Sequence, residues 1–258
     1  MIISVTSPVH GQAGNTTAAL LISLILSEQH NKSVCLTHLS AQSLAFFTYL
    51  GLESLTDITC SHSQLVKLVR EGEINPREMV DYCMRVNDKL DIFSNNSKSF
   101  SDEDMETSVR FITEKMPHDF VVLDIDINTA LPLAKFAFAK SDIVIMTMTQ
   151  MTNVFERYGE VFGNGFEHKS KTLYLCNQYT SEVGSVGGFA KSLGVKHSNC
   201  LVLHHSETLM KLSNTGKLHE LNKTAKTTPL PEIEADLNRY GQKVIERYRK
   251  MFERREKR

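Results

Sequence analysis

The chain has 258 residues, of which 41% are hydrophobic and 23% charged, and its net charge is −1 at pH 7. This composition is typical of a soluble globular protein with one large domain or two small ones, and it excludes general binding of polyanions over the whole surface. No apolar run reaches the ~18–20 residues that span a bilayer, and the N-terminus has no basic segment before its apolar run. We therefore predict neither a signal peptide nor a transmembrane helix.

Short apolar runs alternate with longer segments of helical periodicity along the chain. The predicted strands are Met1–Thr6, Ser33–Leu39, Lys89–Phe93, Phe120–Asp124, Ile143–Met148, Thr172–Cys176 and Cys200–Leu203. The predicted helices are Thr16–Glu28, Gln42–Tyr49, Ser63–Glu71, Pro76–Met84, Ser101–Lys115, Thr129–Lys140, Thr152–Phe162, Ser181–Leu193, Glu207–Asn214 and Glu232–Arg258, with a turn or short helix at Leu55–Thr59. This alternation predicts an α/β protein, a three-layer α/β/α sandwich around a mostly parallel sheet with a long C-terminal helix.

The five cysteines are odd in number and include no Cys-x-x-Cys pair. They are Cys35, Cys60, Cys83, Cys176 and Cys200. Three of them, Cys35, Cys176 and Cys200, lie in apolar runs that predict strands. We therefore expect a reduced, cytoplasmic protein whose thiols lie in the core.

Polar side chains follow three of the predicted strands. The stretch His10–Thr17 lies between the first strand and the first helix, while Asp124 and Asn177 end later strands. Ligands of parallel sheets bind at the carboxyl ends of the strands. A glycine-bearing turn that opens a helix also points backbone N–H groups, and the positive end of the helix dipole, at an anion. The pattern predicts a phosphate-binding loop.

The loop His10-Gly11-Gln12-Ala13-Gly14-Asn15-Thr16-Thr17 resembles, position by position, the deviant Walker A sequence Lys-Gly-Gly-x-Gly-Lys-Thr-Thr of MinD/ParA-like P-loop ATPases. The stretch 118–124 is similar to the family's Walker B strand, and 173–177 is similar to the strand whose asparagine reads adenine. Leu50-Gly51-Leu52 and 142–145 resemble further family segments. The likeness covers residues 1–222, which we expect to form a P-loop NTPase-like domain, with 223–258 as a connecting segment and a basic amphipathic helix.

The resemblance implies a set of site residues. Those expected to contact a nucleotide are Gly11, Gln12, Ala13, Gly14, Asn15, Thr16, Thr17 and Asn177. Thr16 and Asp124 would hold Mg²⁺ if a nucleotide binds, and Asp124 is the candidate catalytic residue if the protein is active. Family practice also implies a homodimer that meets face to face across the loop.

The departures from the family pattern fall on its charged groups. The signature lysine is His10, the phosphate lysine is Asn15, and the two aspartates that close the second strand are His38 and Ser40. A lysine–phosphate bond contributes about 1.5–3 kcal/mol, so losing both lysines lowers ATP affinity roughly 10²- to 10⁴-fold. We therefore expect ATP or ADP with Mg²⁺ to bind weakly, with no cofactor required and no useful hydrolysis.

Three functions are consistent with this sequence. The first is a degenerate MinD/ParA-like protein that acts as a scaffold or positioning partner in a bacterial secretion, pilus or conjugation assembly. The second is an active ATPase that positions or partitions cargo, with its charge supplied by another lysine or a partner. The third is a relative of bacterial tyrosine kinases, because Thr6-Ser7-Pro8 precedes the loop, although the tail has only Tyr240 and Tyr248.

The C-terminal helix carries the strongest charge asymmetry. Residues 239–258 hold nine lysines and arginines against three glutamates, a net charge of +6 that leaves −7 on the rest. Apolar residues such as Leu237, Val244 and Ile245 recur at near-helical spacing on the same segment. Residues 232–258 could pack on the core or a dimer partner, lie on an anionic membrane, or bind nucleic acid or another protein. The expected location is cytoplasmic, and membrane-peripheral under the second of these alternatives.

Overall fold

The computed structural model describes residues 1–39, 45–52, 62–94, 101–129, 131–163, 166–222, 224 and 231–256. Within these residues one eight-stranded sheet has the order β3-β4-β2-β5-β1-β6-β7-β8. Its strands are β1 Ile2–Thr6, β2 Val34–His38, β3 Met84–Asn87, β4 Leu90–Phe93, β5 Phe120–Ile125, β6 Ile143–Met148, β7 Thr172–Tyr179 and β8 Cys200–His204. All neighbours are parallel except β3 and β4. The predicted fold class is confirmed.

The helices cover both faces of the sheet. They are α1 Asn15–Leu24, α2 Ala45–Leu50, α3 His62–Glu71, α4 Asp102–Lys115, α5 Leu131–Lys140, α6 Thr152–Tyr158, α7 Val186–Ser192, α8 Glu207–Asn214 and α9 Pro231–Glu256. Two π-helical segments, Ile25–Gln29 and Gly159–Gly163, continue α1 and α6. Short 3₁₀ segments are Pro76–Tyr82, Lys169–Lys171, His197–Asn199 and Leu218–Glu220.

Two hydrophobic layers hold the sheet between the helices. Along β5, Phe120 and Val122 face the layer formed with α1, α2, α8 and α9, whereas Val121 and Leu123 face α3 to α7. Because the central strands are buried on both faces, their sequences are continuous apolar runs rather than alternating ones. This is why the central strands are predictable from the sequence.

The edge of the sheet departs from the prediction. The expected helix Pro76–Met84 is a 3₁₀ segment, Pro76–Tyr82, followed by the unpredicted strand β3. Asn75 does cap this segment, since its side chain accepts a hydrogen bond from the Arg77 N–H at 3.0 Å. The strand β3 has four partly exposed residues and a bulge, so it carries no apolar run that would reveal it.

Other boundaries shift by a few residues. β7 continues to Tyr179, and α7 begins after Ser185, whose hydroxyl accepts from the Gly188 N–H at 3.0 Å. The expected helix start at Ser181 is therefore too early. Ser101 caps α4 as predicted, because its hydroxyl accepts from the Asp104 N–H at 3.1 Å. The predicted segments at 42–44 and 55–59, and Ser40 and Cys60, lie outside the described residues.

The C-terminal helix α9 packs on the sheet domain. Its buried apolar residues are Ile233, Leu237, Tyr240, Val244 and Ile245. At its start, Asp236 Oδ2 accepts from the His204 N–H at 2.8 Å, and further along the Arg247 guanidinium donates to the Lys171 carbonyl at 2.8 Å. The apolar stripe thus faces the core, as the first of the three alternatives for this helix requires. Among the described helices, none is long and apolar enough to cross a membrane.

A glycine sets how closely α9 approaches the core. A Cβ at Gly241 would lie 2.4 Å from Ile25 Cγ2 and 2.7 Å from His30 Nε2. We predict that Gly241→Ala lowers the free energy of unfolding by about 1–3 kcal/mol, because overpacking outweighs the gain in helix propensity. Urea denaturation measures the change. The control is Gly159→Ala, where no atom lies within 4 Å of the new Cβ; equal stability in the two variants would contradict this packing.

Candidate functional site

The predicted loop lies at the carboxyl edge of the sheet, where β1 sits between β5 and β6. His10, Gly11 and Gln12 are exposed, Ala13 is buried, and Gly14, Asn15, Thr16 and Thr17 are half-buried. Gly11 and Gly14 have φ angles of 70° and 68°, in the left-handed region that favours glycine. The strand, glycine turn and helix expected from the sequence are therefore present, with α1 starting at Asn15.

Asn177 supports this loop from β7. Its Nδ2 donates to the Ala13 carbonyl at 2.9 Å, and its Oδ1 accepts from the Gln178 N–H at 2.9 Å. A Cβ at Gly14 would lie 2.1 Å from the same Nδ2, so the glycine is required for this approach. The side chain expected to read adenine thus has its amide nitrogen and oxygen bonded within the protein.

Asn15 connects three strands at the base of the loop. Its Nδ2 donates to Asp124 Oδ1 and lies 3.3 Å from the Val5 carbonyl and 3.2 Å from the Ile125 carbonyl. Its Oδ1 accepts from the Thr147 hydroxyl at 3.2 Å. The position that carries the phosphate lysine in the resembled family therefore holds an amide turned into the sheet edge. Thr147 is a site residue that the sequence prediction does not include; its one signal in the sequence is a polar side chain near the carboxyl end of an apolar strand.

Asp124 is the buried acid of the site, with 4% of its surface exposed. Burial raises the pKa of its carboxyl from 3.8 to about 7, and the nearby Asp126 carboxylate adds to the rise. The Thr16 hydroxyl donates to Asp124 Oδ2 at 2.8 Å, and this bond and that from Asn15 pull the pKa the other way. Both carboxylate oxygens are therefore engaged by donors of the chain itself.

His10 and Asp126 form a pair at the mouth of the loop. His10 Nδ1 lies 2.6 Å from Asp126 Oδ2, and the histidine side chain is 67% exposed. The sequence alone does not indicate that these two side chains form a pair. Beside them, Gln12 accepts from the Asn153 side chain at 3.3 Å. Among the described residues, no lysine or arginine side chain bonds to residues 10–17.

His38 is buried at the end of β2, which agrees with a structural role. Its Nε2 lies 2.8 Å from the Ser94 hydroxyl, and its ring packs edge-on against Phe46 and near His62. Burial lowers the pKa of His62 well below 6.5, so that ring is neutral. This strand end therefore presents no carboxylate at the position where the resembled family has one.

Thr16 and Asp124 do lie side by side, as holding Mg²⁺ would require. As arranged, they do not fit the ion, because the Asn15 amide hydrogens point at the carboxylate that would bind it. A cation at Asp124 would compete with the Asn15 donor for the same carboxylate. Within the described ranges, no group of three or more histidine, cysteine and acidic side chains is placed to hold a metal ion.

The fold and the loop define the class, a P-loop α/β protein. No protein-family model and no curated protein matches the chain. Among solved structures, a ParA family ATPase from Chlorobium tepidum TLS has a TM-score of 0.74 and 12% identity, covering 93% of this chain and 98% of that one. The MinC:MinD cell division protein complex of Aquifex aeolicus has a TM-score of 0.68 and 17% identity, covering 97% of this chain and 95% of that one.

A third structure is the septum site-determining protein MinD of Pyrococcus horikoshii OT3, complexed with Mg-ADP. It has a TM-score of 0.64 and 16% identity, covering 94% of this chain and 95% of that one. The chain is thus structurally similar to MinD and ParA ATPases over nearly its whole length. At such identities the likeness establishes the fold, and the activity has to be argued from this chain's own residues.

The raised pKa of Asp124 predicts a pH dependence of stability. Because the folded pKa, about 7, lies above the unfolded value of 3.8, this group's contribution is fully present below pH 3.8 and is lost as the pH rises to about 7. The free energy of unfolding of the wild type minus that of Asp124→Asn should fall by up to about 4 kcal/mol across this window. Denaturant titrations at several pH values measure the difference.

Asp126→Asn is the matched control. It removes a charge that raises the pKa of Asp124, so in this background the fall should be smaller and should end at a lower pH. A pH-independent difference between the wild type and Asp124→Asn would show that the carboxyl ionises normally.

Proposed function

We propose that this protein is a MinD/ParA-like P-loop protein with a degenerate Walker A loop and weak or no ATP hydrolysis. It acts as a dimeric scaffold or positioning component of a bacterial assembly of the secretion, pilus or conjugation type. ATP or ADP with Mg²⁺ binds weakly and is not required. The observation that carries the proposal is the Asn15 side chain, which bonds to Asp124 in the position where a phosphate-binding lysine would stand.

The lack of a permanent positive charge at residues 10 and 15 supports weak or absent ATP hydrolysis. A cation placed on a transferring phosphoryl group contributes about 10³–10⁵ in rate in related enzymes. His10 is held by Asp126, and Asn15 is uncharged, so neither supplies that permanent charge. When a nucleotide does bind, the loop N–H groups would contact its phosphates. No step of a reaction is assigned to the site.

An exposed apolar rim supports a partner at the loop face. Leu131, Met151 and Val183 are 64%, 56% and 66% exposed. They lie in the segments that follow β5, β6 and β7, so all three belong to the carboxyl edge that holds the loop. Large exposed apolar residues that share one edge are typical of interaction sites. The partner we propose there is a second copy of the chain, with the assembly's other proteins bound to the dimer.

The competing functions find less support. The active-ATPase alternative needs a cation at the loop, from another lysine of the chain or from a partner. Among the described residues no lysine or arginine side chain bonds to the loop, so this alternative depends on the partner. The tyrosine-kinase alternative needs accessible tyrosines near the C-terminus. Tyr240 is 1% exposed and Tyr248 is half-buried against Phe120, so the described part of the tail offers at most one partly accessible tyrosine. Because the apolar stripe of α9 packs on the core, only the basic end of that helix remains for contact with a membrane. Nucleic acid is less favoured than a membrane as a partner of this helix.

Nucleotide binding tests the degenerate site. Isothermal titration of the wild type with Mg-ATP should give no binding at micromolar concentrations, and phosphate release should stay at background. The double variant His10→Lys/Asn15→Lys should gain roughly 10²- to 10⁴-fold in affinity, because it restores both cationic contacts. The control Asn153→Lys adds a single positive charge at the loop rim and should gain little. Micromolar binding and steady turnover by the wild type would end the proposal.

Self-association tests the scaffold. In sedimentation velocity experiments, Met151→Asp should weaken the dimer by about tenfold or more, because a carboxylate would be buried without a partner. Val161→Asp is the control, since Val161 is 41% exposed on the π-helical segment that follows α6. A wild type that remains monomeric at high concentration, or two variants with equal effects, would contradict a dimer across the loop.

A further inference from the structure

We infer that the polar network centred on Asn15 holds the loop face in one conformation without nucleotide or metal, so that partner binding at this face does not depend on nucleotide. The inference rests on the proposed function, since it describes how that function is regulated. In switching P-loop proteins the bound triphosphate and its metal hold the responsive segments in place. Here side chains of the protein make the corresponding connections.

The network joins the loop to three adjacent strands. Asn15 bonds to the Asp124 carboxylate on β5, to the Val5 carbonyl on β1 and to the Thr147 hydroxyl on β6. The Thr147 hydroxyl also lies 3.0 Å from the Thr6 carbonyl. The ends of β5, β1 and β6 are thus cross-linked through one amide and one hydroxyl, in addition to the sheet's backbone bonds.

A second set of contacts fixes the segment after β5. Asp126 Oδ1 accepts from the Asn128 N–H at 2.7 Å, and the Asp126 carbonyl accepts from the Thr129 N–H at 2.9 Å. The same carboxylate contacts His10 across the mouth of the loop. The Thr129 hydroxyl donates to the Leu39 carbonyl at 3.3 Å, which ties the segment to the end of β2. The loop and this segment therefore hold each other.

Asn177 on β7 also holds the loop in place. Asn177 bonds to the Ala13 carbonyl, and this close approach is possible because Gly14 has no Cβ. A ligand shifts a conformational equilibrium only by its different affinities for the two states. A face that is already held by the chain's own bonds leaves a nucleotide little conformational change to drive.

Hydrogen exchange of the full-length protein tests the inference. Two sets of bonded amides should be protected without ligand: Asn128 and Thr129 in the segment after β5, and Ala18 at the start of α1. Millimolar ATP with Mg²⁺ should change their exchange by less than about twofold. Asn15→Ala should raise exchange in both segments by about tenfold. Asn153→Ala is the matched control, because this asparagine bonds to Gln12 at the rim and lies outside the network.

Thr147→Val gives a second measurement if the first variant melts at a much lower temperature. It removes the hydroxyl that bridges Asn15 and the Thr6 carbonyl while keeping the side chain's shape, and it should also raise exchange in both segments. Fast exchange in the unliganded wild type that ATP slows tenfold would overturn the inference, as would unchanged exchange in both variants. A monomer with ligand-independent protection would support the inference while contradicting the dimeric scaffold.

Discussion

The hydrogen bond from the Asn15 amide to the Asp124 carboxylate is the contact on which the rest of the site depends. A lysine at this position would extend a charge into the loop, whereas an amide is short and neutral and turns into the sheet edge. A bond to a carboxylate contributes about 1.5–3 kcal/mol. It also places a donor on the acid that a magnesium-binding site would keep free, so in the function we propose the same contact stabilises the fold and weakens nucleotide binding.

The architecture around this contact is that of an ordinary P-loop protein. The parallel order β5-β1-β6-β7 brings the ends of four strands together, and this is why residues more than 100 positions apart meet at Asn15. The two apolar layers hold the strands, and α9 adds a further helix to one of them. The fold is thus similar to that of MinD and ParA structures, and in the function we propose the contacts within the chain take the place of groups that would hold a nucleotide.

Much of this could be predicted from the sequence, because buried parallel strands are continuous apolar runs and the loop has a fixed spacing. The side-chain contacts of the site could not be predicted in this way. His10 and Asp126 are 116 residues apart, and only the adjacency of β1 and β5 brings them together. The strand β3 escaped prediction since an exposed edge strand has no apolar signature. The sequence does not decide whether α9 packs on the core or lies on a membrane, because one amphipathic stripe fits both surfaces.

A crystal structure of the protein grown with excess ATP and Mg²⁺ tests the central claim most directly. We expect the Asn15 amide to remain bonded to Asp124, with the loop open to solvent or holding a weakly occupied anion. A fully occupied nucleotide, with Asn15 turned away from Asp124 and a lysine or arginine of the chain or its partner on the terminal phosphates, would contradict the account.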